Sequence, residues 1–465
     1  MKSANVYRRG HLILFCQRTS LHGLADIYRS KSRAVQLMWL FIFLGALTSA
    51  IYMWYSIFAA YRAAPIVASY FIKGTEMTFA LPDFVICPFN RFNAEFLAEH
   101  NVSNDVAQYM QLAFGATAKH PAQRRDLVKF LNGKRMRQLD SEMHEMLNAM
   151  NMSFGEFLDE ASLKCEDLLA ECILPEGVVN CCDRSSDMLT FAGKCFRIRG
   201  IDQAGVGYGF GITIMMVLPK KKYSLAVNNW LNDGVVVKMA ERNQGVDYDL
   251  TFVPVGTHAL MPLKAVKYEF IDDPPRFDCL SSAADNYSRV QCFDSCITEM
   301  AEQHCQCAIV TKYDRRSGLS ACTTMQYYYC IFSYLRQRLT DEHSREEFFF
   351  SCRQRCKPRC TYWQYHSSIS YSSFPVNEAF AFAKNENEKN LMKNTIILDV
   401  YFEKLEYTLV KHYRAMSVHG FIANIGGHYS LWLGGSLITL VQLFVFLGRY
   451  FSSFCFGTCL FKEDA

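Results

Sequence analysis

The sequence has no Cys-x-x-Cys pair and no Gly-x-Ser-x-Gly. It has no His-Glu-x-x-His either, because His144-Glu145 runs on to Asn148 at the required fifth position. A zinc site of the usual spacing, a nucleophile-elbow hydrolase and a zinc peptidase therefore have no support. Charge is also scarce: a fifth of the residues are charged, and the net of +4 is too weak and too dispersed for nucleic acid. Residues 1–33 lack the short apolar core and cleavage site of a secretory leader. Between Arg414 and Arg449 there is no Asp, Glu, Lys or Arg at all, only His419 and His428.

That last absence organises the chain. Ser417 to Leu447 exceeds the ~20 apolar residues that a helix needs to cross a bilayer. Glycine interrupts it at Gly420, Gly426, Gly427, Gly434 and Gly435, and Gly434-Gly435-Ser436 sits near its middle. Such a triplet weakens a helix and bares backbone carbonyls, which hydrocarbon tolerates only where protein or water covers them. Two readings fit these residues: a small-residue helix–helix contact or the lining of an ion pore. A second uncharged run, Ala34 to Tyr61, carries Tyr52, Trp54 and Tyr55 toward one end and reads as a first span. The basic segment before it (Lys2, Arg8, Arg9, Arg18, Arg29, Lys31, Arg33) stays cytosolic by the positive-inside rule. The expected organisation is a cytosolic segment over 1–33, a span over 34–61, an exterior domain over 62–416, a second span over 417–447 and a cytosolic tail over 448–465. Cys455 and Cys459 in that tail read either as acylation sites or as reduced thiols.

Sixteen of the 19 cysteines lie from Cys87 to Cys360. An even, dense block of this kind reads as a disulfide framework in an oxidising compartment. Three sequons, at Asn101, Asn151 and Asn286, fall in the same block. Phe84–Ile86, Ile212–Leu218, Gly234–Met239, Asp249–Val253 and Ala265–Ile271 read as strands. Residues 101–175 read as packed helices, with Asp140, Glu142, Glu145, Glu156, Asp159, Glu160, Glu166 and Asp167 forming either a solvated face or a proton-responsive pocket. Gly205-Val-Gly-Tyr-Gly-Phe-Gly211 lacks Gly-x-Gly-x-x-Gly spacing and a following helix, so it reads as a loop leading into a strand. From Cys279 to Cys360, three early and three late cysteines flank a central four. This predicts a nested ladder on helices Asn286–Gln303 and Thr340–Phe350, a stiff column able to carry force, with roughly 3–4 kcal/mol per bridge in the entropy model.

Taken in order, these stretches resemble the degenerin/epithelial sodium channel family, which includes the amiloride-sensitive and acid-sensing channels. The residues that carry the resemblance are His22-Gly23, the Phe84–Asn90 strand, Gly205–Gly211 and the Cys292–Cys360 array. Cys360-Thr-Tyr-Trp-Gln-Tyr365 with Ser370 and Phe374-Pro375, Val400-Tyr401-Phe402, Gly426-Gly427 and Gly434-Gly435-Ser436 complete the set. The compact length and short tails resemble invertebrate, nematode-type members.

The resemblance implies an α+β membrane protein in which two transmembrane helices flank a large disulfide-rich extracellular domain, with a β-sheet palm and a helical finger and thumb (thumb about 280–360). It implies a homo- or heterotrimer with family subunits in the lipid of the plasma membrane, both termini cytosolic, no nucleic-acid partner, and no cofactor beyond the permeant sodium ion. It implies a selectivity filter at Gly434, Gly435 and Ser436, and pore or gating roles for Ala423, Asn424, Gly426, Gly427, His22 and Gly23. It also implies the bridges Cys87–Cys195, Cys165–Cys172, Cys279–Cys360, Cys292–Cys356, Cys296–Cys352, Cys305–Cys330 and Cys307–Cys322. Cys181 and Cys182 are left either to a vicinal bridge or to a shuffle with Cys165 and Cys172.

Gln442 and Val445 stand where acid-sensing members often carry acids, and Asn424 stands at a site that is acidic in some relatives, which weakens cation attraction. The leading expectation is a sodium-conducting, amiloride-sensitive channel opened by an extracellular stimulus; protons are one candidate, given His100, His120 and His144. The alternative is a non-conducting subunit that tunes a paralogue. A two-span ATP-gated channel would need a lysine-rich site and another cysteine order, and an ectoenzyme has no motif.

Overall fold

The computed structural model describes the chain apart from residues 1–12, 14, 18, 64, 76, 115–120, 191, 225–232, 243, 245–249, 275–276, 282–286, 311–317, 377–384 and 460–465, and apart from the side chains of 121–124, 126 and 449–459. His120 and Asn286 thus lie outside the described residues, as do the side chains of Cys455 and Cys459. The chain divides into two compact units, residues 1–68 with 412–465 and residues 69–411.

In chain order, helices α1 (Leu24–Arg29) and α2 (Arg33–Ala63) precede strands β1 (Ile66–Gly74) and β2 (Asp83–Pro88). Helices α3 (Asn104–Gln111), α4 (Gly133–Met150) and α5 (Phe154–Glu160) follow. Next come β3 (Leu169–Leu174), β4 (Gly177–Val179), β5 (Ser185–Thr190), β6 (Gly193–Ile198), β7 (Ile212–Val217), β8 (Gly234–Ala240), β9 (Thr251–Pro254) and β10 (Thr257–Glu269). Helices α6 (Arg289–Cys305), α7 (Ser333–Thr340) and α8 (Glu342–Arg355) lead to β11 (Thr361–Ser367), β12 (Ser370–Ser373) and β13 (Thr395–Arg414). Helices α9 (Val418–Leu433) and α10 (Leu437–Cys459) close the chain.

The larger unit is built on an eight-stranded sheet ordered β11-β10-β13-β7-β3-β4, with β1 added to β13 and β12 to β10. Its central pair, β10 and β13, is parallel, and its register shifts between Leu263 and Ala265. Side chains on a strand alternate between faces. Ile212, Ile214 and Met216 of β7 therefore share one buried face with Ile396, Leu398, Val400 and Phe402 of β13 and with Ala259, Met261 and Leu263 of β10. Gly211 leads into β7 where a Cβ would lie 1.9 Å from the Val400 carbonyl oxygen, so the close approach requires glycine there. Asp399 is buried in this sheet and accepts from the Thr213 hydroxyl of β7 and pairs with the His258 imidazole of β10. A five-stranded sheet, β9-β8-β2-β6-β5, packs beside it. Disulfide Cys87–Cys195 ties β2 to β6 in that sheet.

Helices α3, α4 and α5 form a separate core in which Tyr109, Met110, Met136, Leu139, Met143, Phe157 and Leu158 are all but inaccessible. The spacing Met136, Leu139, Met143, Leu147 follows the helical period and places one face of α4 inward. Local chemistry fixes the ends: Asn132 caps α4 at its start, Asn151 adopts the left-handed conformation at its end, and Ser153 with Glu156 forms a reciprocal capping box on α5. Five of the eight acidic residues singled out in this region have partners, Glu156 through its capping box. Asp140 accepts from Tyr109, Glu142 accepts from Gln138, Asp159 pairs with Lys194 at 3.0 Å, and Asp167 with Lys222 at 2.7 Å. Several of them sit at helix ends or in ion pairs.

The cysteine ladder stands on α6 and α8. Cys279–Cys360, Cys292–Cys356 and Cys296–Cys352 form its lower rungs, and Cys305–Cys330 and Cys307–Cys322 close its far end. The helices begin later than their sequence pattern suggests. Ser288 caps α6 by accepting from Gln291 N–H, and Asp341 caps α8 by accepting from Ser344 N–H. Helix also runs from Thr324 through a π-type stretch at Tyr327–Phe332 into α7.

One implied bridge is wrong. Cys165 joins Cys182 and Cys172 joins Cys181, so there is no Cys165–Cys172 bond and no vicinal bond. The reason is the β3–β4 hairpin. Cys172 stands opposite Val179 in the ladder, and Cys181, two residues on, falls on the same side. Cys165 opens the short helical turn ahead of the strand that starts at Leu169, and it takes Cys182, the neighbour of Cys181.

Candidate pore segment

The smaller unit holds the glycine-interrupted stretch. Helix α2 is the one single helix long and apolar enough to cross a membrane among the described residues; it extends the expected span by one residue at its start and two at its end. The second apolar stretch is two helices, α9 and α10, bent by 77° at Gly434-Gly435-Ser436. Helix α10 continues through Cys459, well past Leu447, the expected end of the second span.

Each residue of the break is held differently. Gly434 ends α9 in the left-handed conformation (φ 63°), and its N–H donates to the Ser430 carbonyl at 2.8 Å. A Cβ on Gly434 would lie 1.8 Å from His22 Cδ2, so only glycine leaves room for that imidazole. Gly435 faces the Tyr429 ring, 2.1 Å from where its own Cβ would be. Ser436 starts α10: its hydroxyl accepts from Thr439 N–H at 3.3 Å, and its N–H donates to Thr439 Oγ1 at 3.0 Å. No donor among the described residues reaches the carbonyls of Gly434 and Gly435. Two adjacent free carbonyls and an exposed hydroxyl are what a dehydrated cation requires as ligands.

The amino-terminal segment is the brace. His22 N–H donates to the Leu433 carbonyl at 2.9 Å, Ser20 Oγ meets Thr439 Oγ1 at 2.6 Å, and Phe15 stacks on Phe446 at 4.4 Å. Gly23 adopts φ 80° at the cap of α1, which lets the chain reverse beside Trp39 and Phe43 of α2. Ala423, Asn424, Gly426 and Gly427 lie further back on α9 and are exposed; a Cβ at either glycine would meet nothing within 4 Å. His22-Gly23 and Gly434–Ser436 therefore come together, whereas Ala423 to Gly427 belong to a separate open face of α9. Sequence reasoning missed Ser20, Tyr429 and Thr439. The signal for Thr439 was available as Ser436-x-x-Thr439, the spacing of a helix cap.

The profile of the amiloride-sensitive sodium channel family matches residues 15–446. The chain belongs to this family. Its members are ion channels, so the protein is not an enzyme. Among its relatives, the bile acid-sensitive ion channel of Rattus norvegicus is 22% identical over 95% of this chain and 87% of that one. Acid-sensing ion channel 1A of Danio rerio is 23% identical over 94% and 87%, and acid-sensing ion channel 1 of Gallus gallus 23% over 92% and 82%. A solved structure of a proton-activated chloride channel overlays at a TM-score of 0.32 with 6% identity, over 88% of this chain and 96% of that one, too low to bear on the fold. In this amiloride-sensitive sodium channel family member, the disulfide framework and both sheets lie within the matched span.

Proposed function

We propose that the protein is one subunit of a trimeric, amiloride-sensitive sodium channel of the plasma membrane, with residues 62–416 outside the cell and both termini in the cytosol. Gly434, Gly435 and Ser436 of three copies form the selectivity filter, with sodium as the permeant ion and no bound cofactor. The observation that carries this reading is the break itself: adjacent unpaired carbonyls in the middle of an apolar stretch, braced by His22. Hydrocarbon penalises such groups by several kcal/mol each (about 1–3 in protein mutational data), so they belong on a wet path. Ala423, Asn424, Gly426 and Gly427, on the open face of α9, act in gating. Asn101 and Asn151, both exposed in the left-handed conformation at helix ends, carry glycans, as does Asn286.

The stimulus is extracellular. The relatives named above carry the names of two stimuli, bile acids and acid, at nearly equal identity to this chain. Expression in oocytes with steps of pH, a bile acid, sodium replacement and amiloride tests the reading. Replacing Ser436 by a larger residue is expected to shift the reversal potential toward that of a channel that admits potassium. Replacing Ala423 by a bulky residue is expected to leave a standing current. An unchanged reversal potential in conducting Ser436 variants would refute the filter assignment.

A second reading has its own support. Gln442 and Val445 are exposed on α10 where acids would attract cations, so a subunit that conducts only beside a paralogue is the alternative. Silence when expressed alone, with altered currents on co-expression, would identify it.

A further inference from the structure

At the foot of the cysteine ladder, a cavity of about 210 Å³ opens between the first turn of α6, the segment that leads from Pro358 into β11, and the end of β8. It lies wholly within the larger unit, so it stands whether or not the pore reading does. Its apolar lining is Val290, Pro358, Tyr362 and Trp363, the last two being neighbours on β11 whose rings lie on opposite faces of the strand. Those rings are fixed from behind. Tyr362 stacks on Tyr268 at 4.8 Å, and Trp363 packs on Tyr407 at 4.9 Å.

Three features of the polar side point to a ligand. Gln244 is 8% exposed, yet its Oε1 has no hydrogen-bond partner among the described residues. A buried amide oxygen left without a donor costs roughly 1–3 kcal/mol, so such an atom facing a cavity marks a place for a donor. Second, the cavity meets the amino terminus of a 17-residue helix, where unpaired N–H groups favour negative charge. Third, the charges that line it are unequal. Glu241 is taken by Arg359 at 3.1 Å and by Trp363 N–H, while Arg289, exposed at the mouth, has no carboxylate partner among the described residues. The free charge at the cavity is therefore positive.

We propose that this cavity binds a small organic anion: an aromatic body packed against Val290, Pro358 and Tyr362, an O–H or N–H donor given to Gln244 Oε1, and a carboxylate or sulfate held by Arg289 and the first turn of α6. The volume limits the body to about one ring, since sites for drug-sized molecules start at roughly 300 Å³. Occupancy would link α6 and β11, the two strands of chain that enter and leave the ladder, and so stiffen its foot.

Three probes separate the parts of the site by isothermal titration calorimetry on the full chain in lipid nanodiscs. 4-Hydroxyphenylacetate carries all three features, phenylacetate lacks the donor, and tyramine has a cation in place of the anion. The first is expected to bind, the second about tenfold more weakly for want of one hydrogen bond to a buried acceptor, and the third not at all. Arg289→Ala and Val290→Trp both change exposed positions and leave the core intact. The first is expected to weaken 4-hydroxyphenylacetate about tenfold, as loss of a charge-assisted contact does, and the second to block the mouth. No heat from 4-hydroxyphenylacetate in the wild-type protein, equal binding of tyramine, or affinity unchanged in both variants would each overturn the assignment.

Discussion

Gly434 shows how one hydrogen atom in place of a methyl group decides a site. Alanine there would sit in the left-handed region, at about 1–2 kcal/mol, and would also drive its Cβ into His22. We expect Gly434→Ala to abolish current while protein still reaches the cell surface, and Gly434→Ala with His22→Ala to recover part of it; surface biotinylation beside current recording checks both. Lys194 is a residue of a different kind. Burial works against its charge, but Asp159 at 3.0 Å and Asp187 at 3.1 Å outweigh it and hold the ammonium above the usual lysine range. A cation with a raised folded pKa stabilises fully below its unfolded value, near 10.4, and loses that contribution as pH rises through the folded value. Because both carboxylates are about half exposed, the pair contributes on the order of 1 kcal/mol. Lys194→Met is therefore expected to lower the melting temperature by a constant amount between pH 6 and 9, with the gap to wild type starting to close only as pH rises past the unfolded lysine value, near 10.4.

At the scale of elements, the ladder on α6 and α8 is a pair of short helices held chiefly by sulfur. Only Phe348 and Cys352 of α8 are buried. Its amphipathic face is too thin to dock it by apolar packing alone, since helices this short are marginal without tertiary contacts. Replacing Cys296 and Cys352 together by serine leaves the enclosing Cys292–Cys356 bridge in place and frees only the short ring between the two rungs, worth roughly 3 kcal/mol in the entropy model. Amide exchange is expected to accelerate in α6 and α8 and to stay unchanged in β7, β10 and β13. Equal acceleration in the sheet would mean that the ladder and the sheet unfold as one.

For the whole molecule, the single chain is unfinished inside its smaller unit. Trp54 Nε1, His428 Nδ1 and Trp432 Nε1 are buried without a hydrogen-bond partner among the described residues. The helix that carries His428 and Trp432, α9, leaves Ala423, Gly426 and Gly427 exposed, and a Cβ at either glycine would meet nothing within 4 Å. Buried polar groups are nearly always satisfied in an assembled protein. We expect three chains per particle by native mass spectrometry from nanodiscs. A monomeric particle that still conducts would exclude a pore shared between copies.

Much of this was legible in the residues because the forces involved are local or periodic. Uncharged length marks α2 and the α9–α10 stretch; strand-favouring runs mark β2, β7 and β8; and the three-four-three cysteine order marks the ladder. Helix starts at Ser288 and Asp341 were missed by a few residues because a cap is a single hydrogen bond that propensity does not see. What only the tertiary structure decided is which distant groups meet. The β3–β4 register assigned Cys165 to Cys182 and Cys172 to Cys181, and the docking of residues 15–23 placed His22 against Gly434. Neither partner can be read from spacing, because contact between segments far apart in the chain depends on how the intervening elements pack and not on the identity of the residues that finally touch.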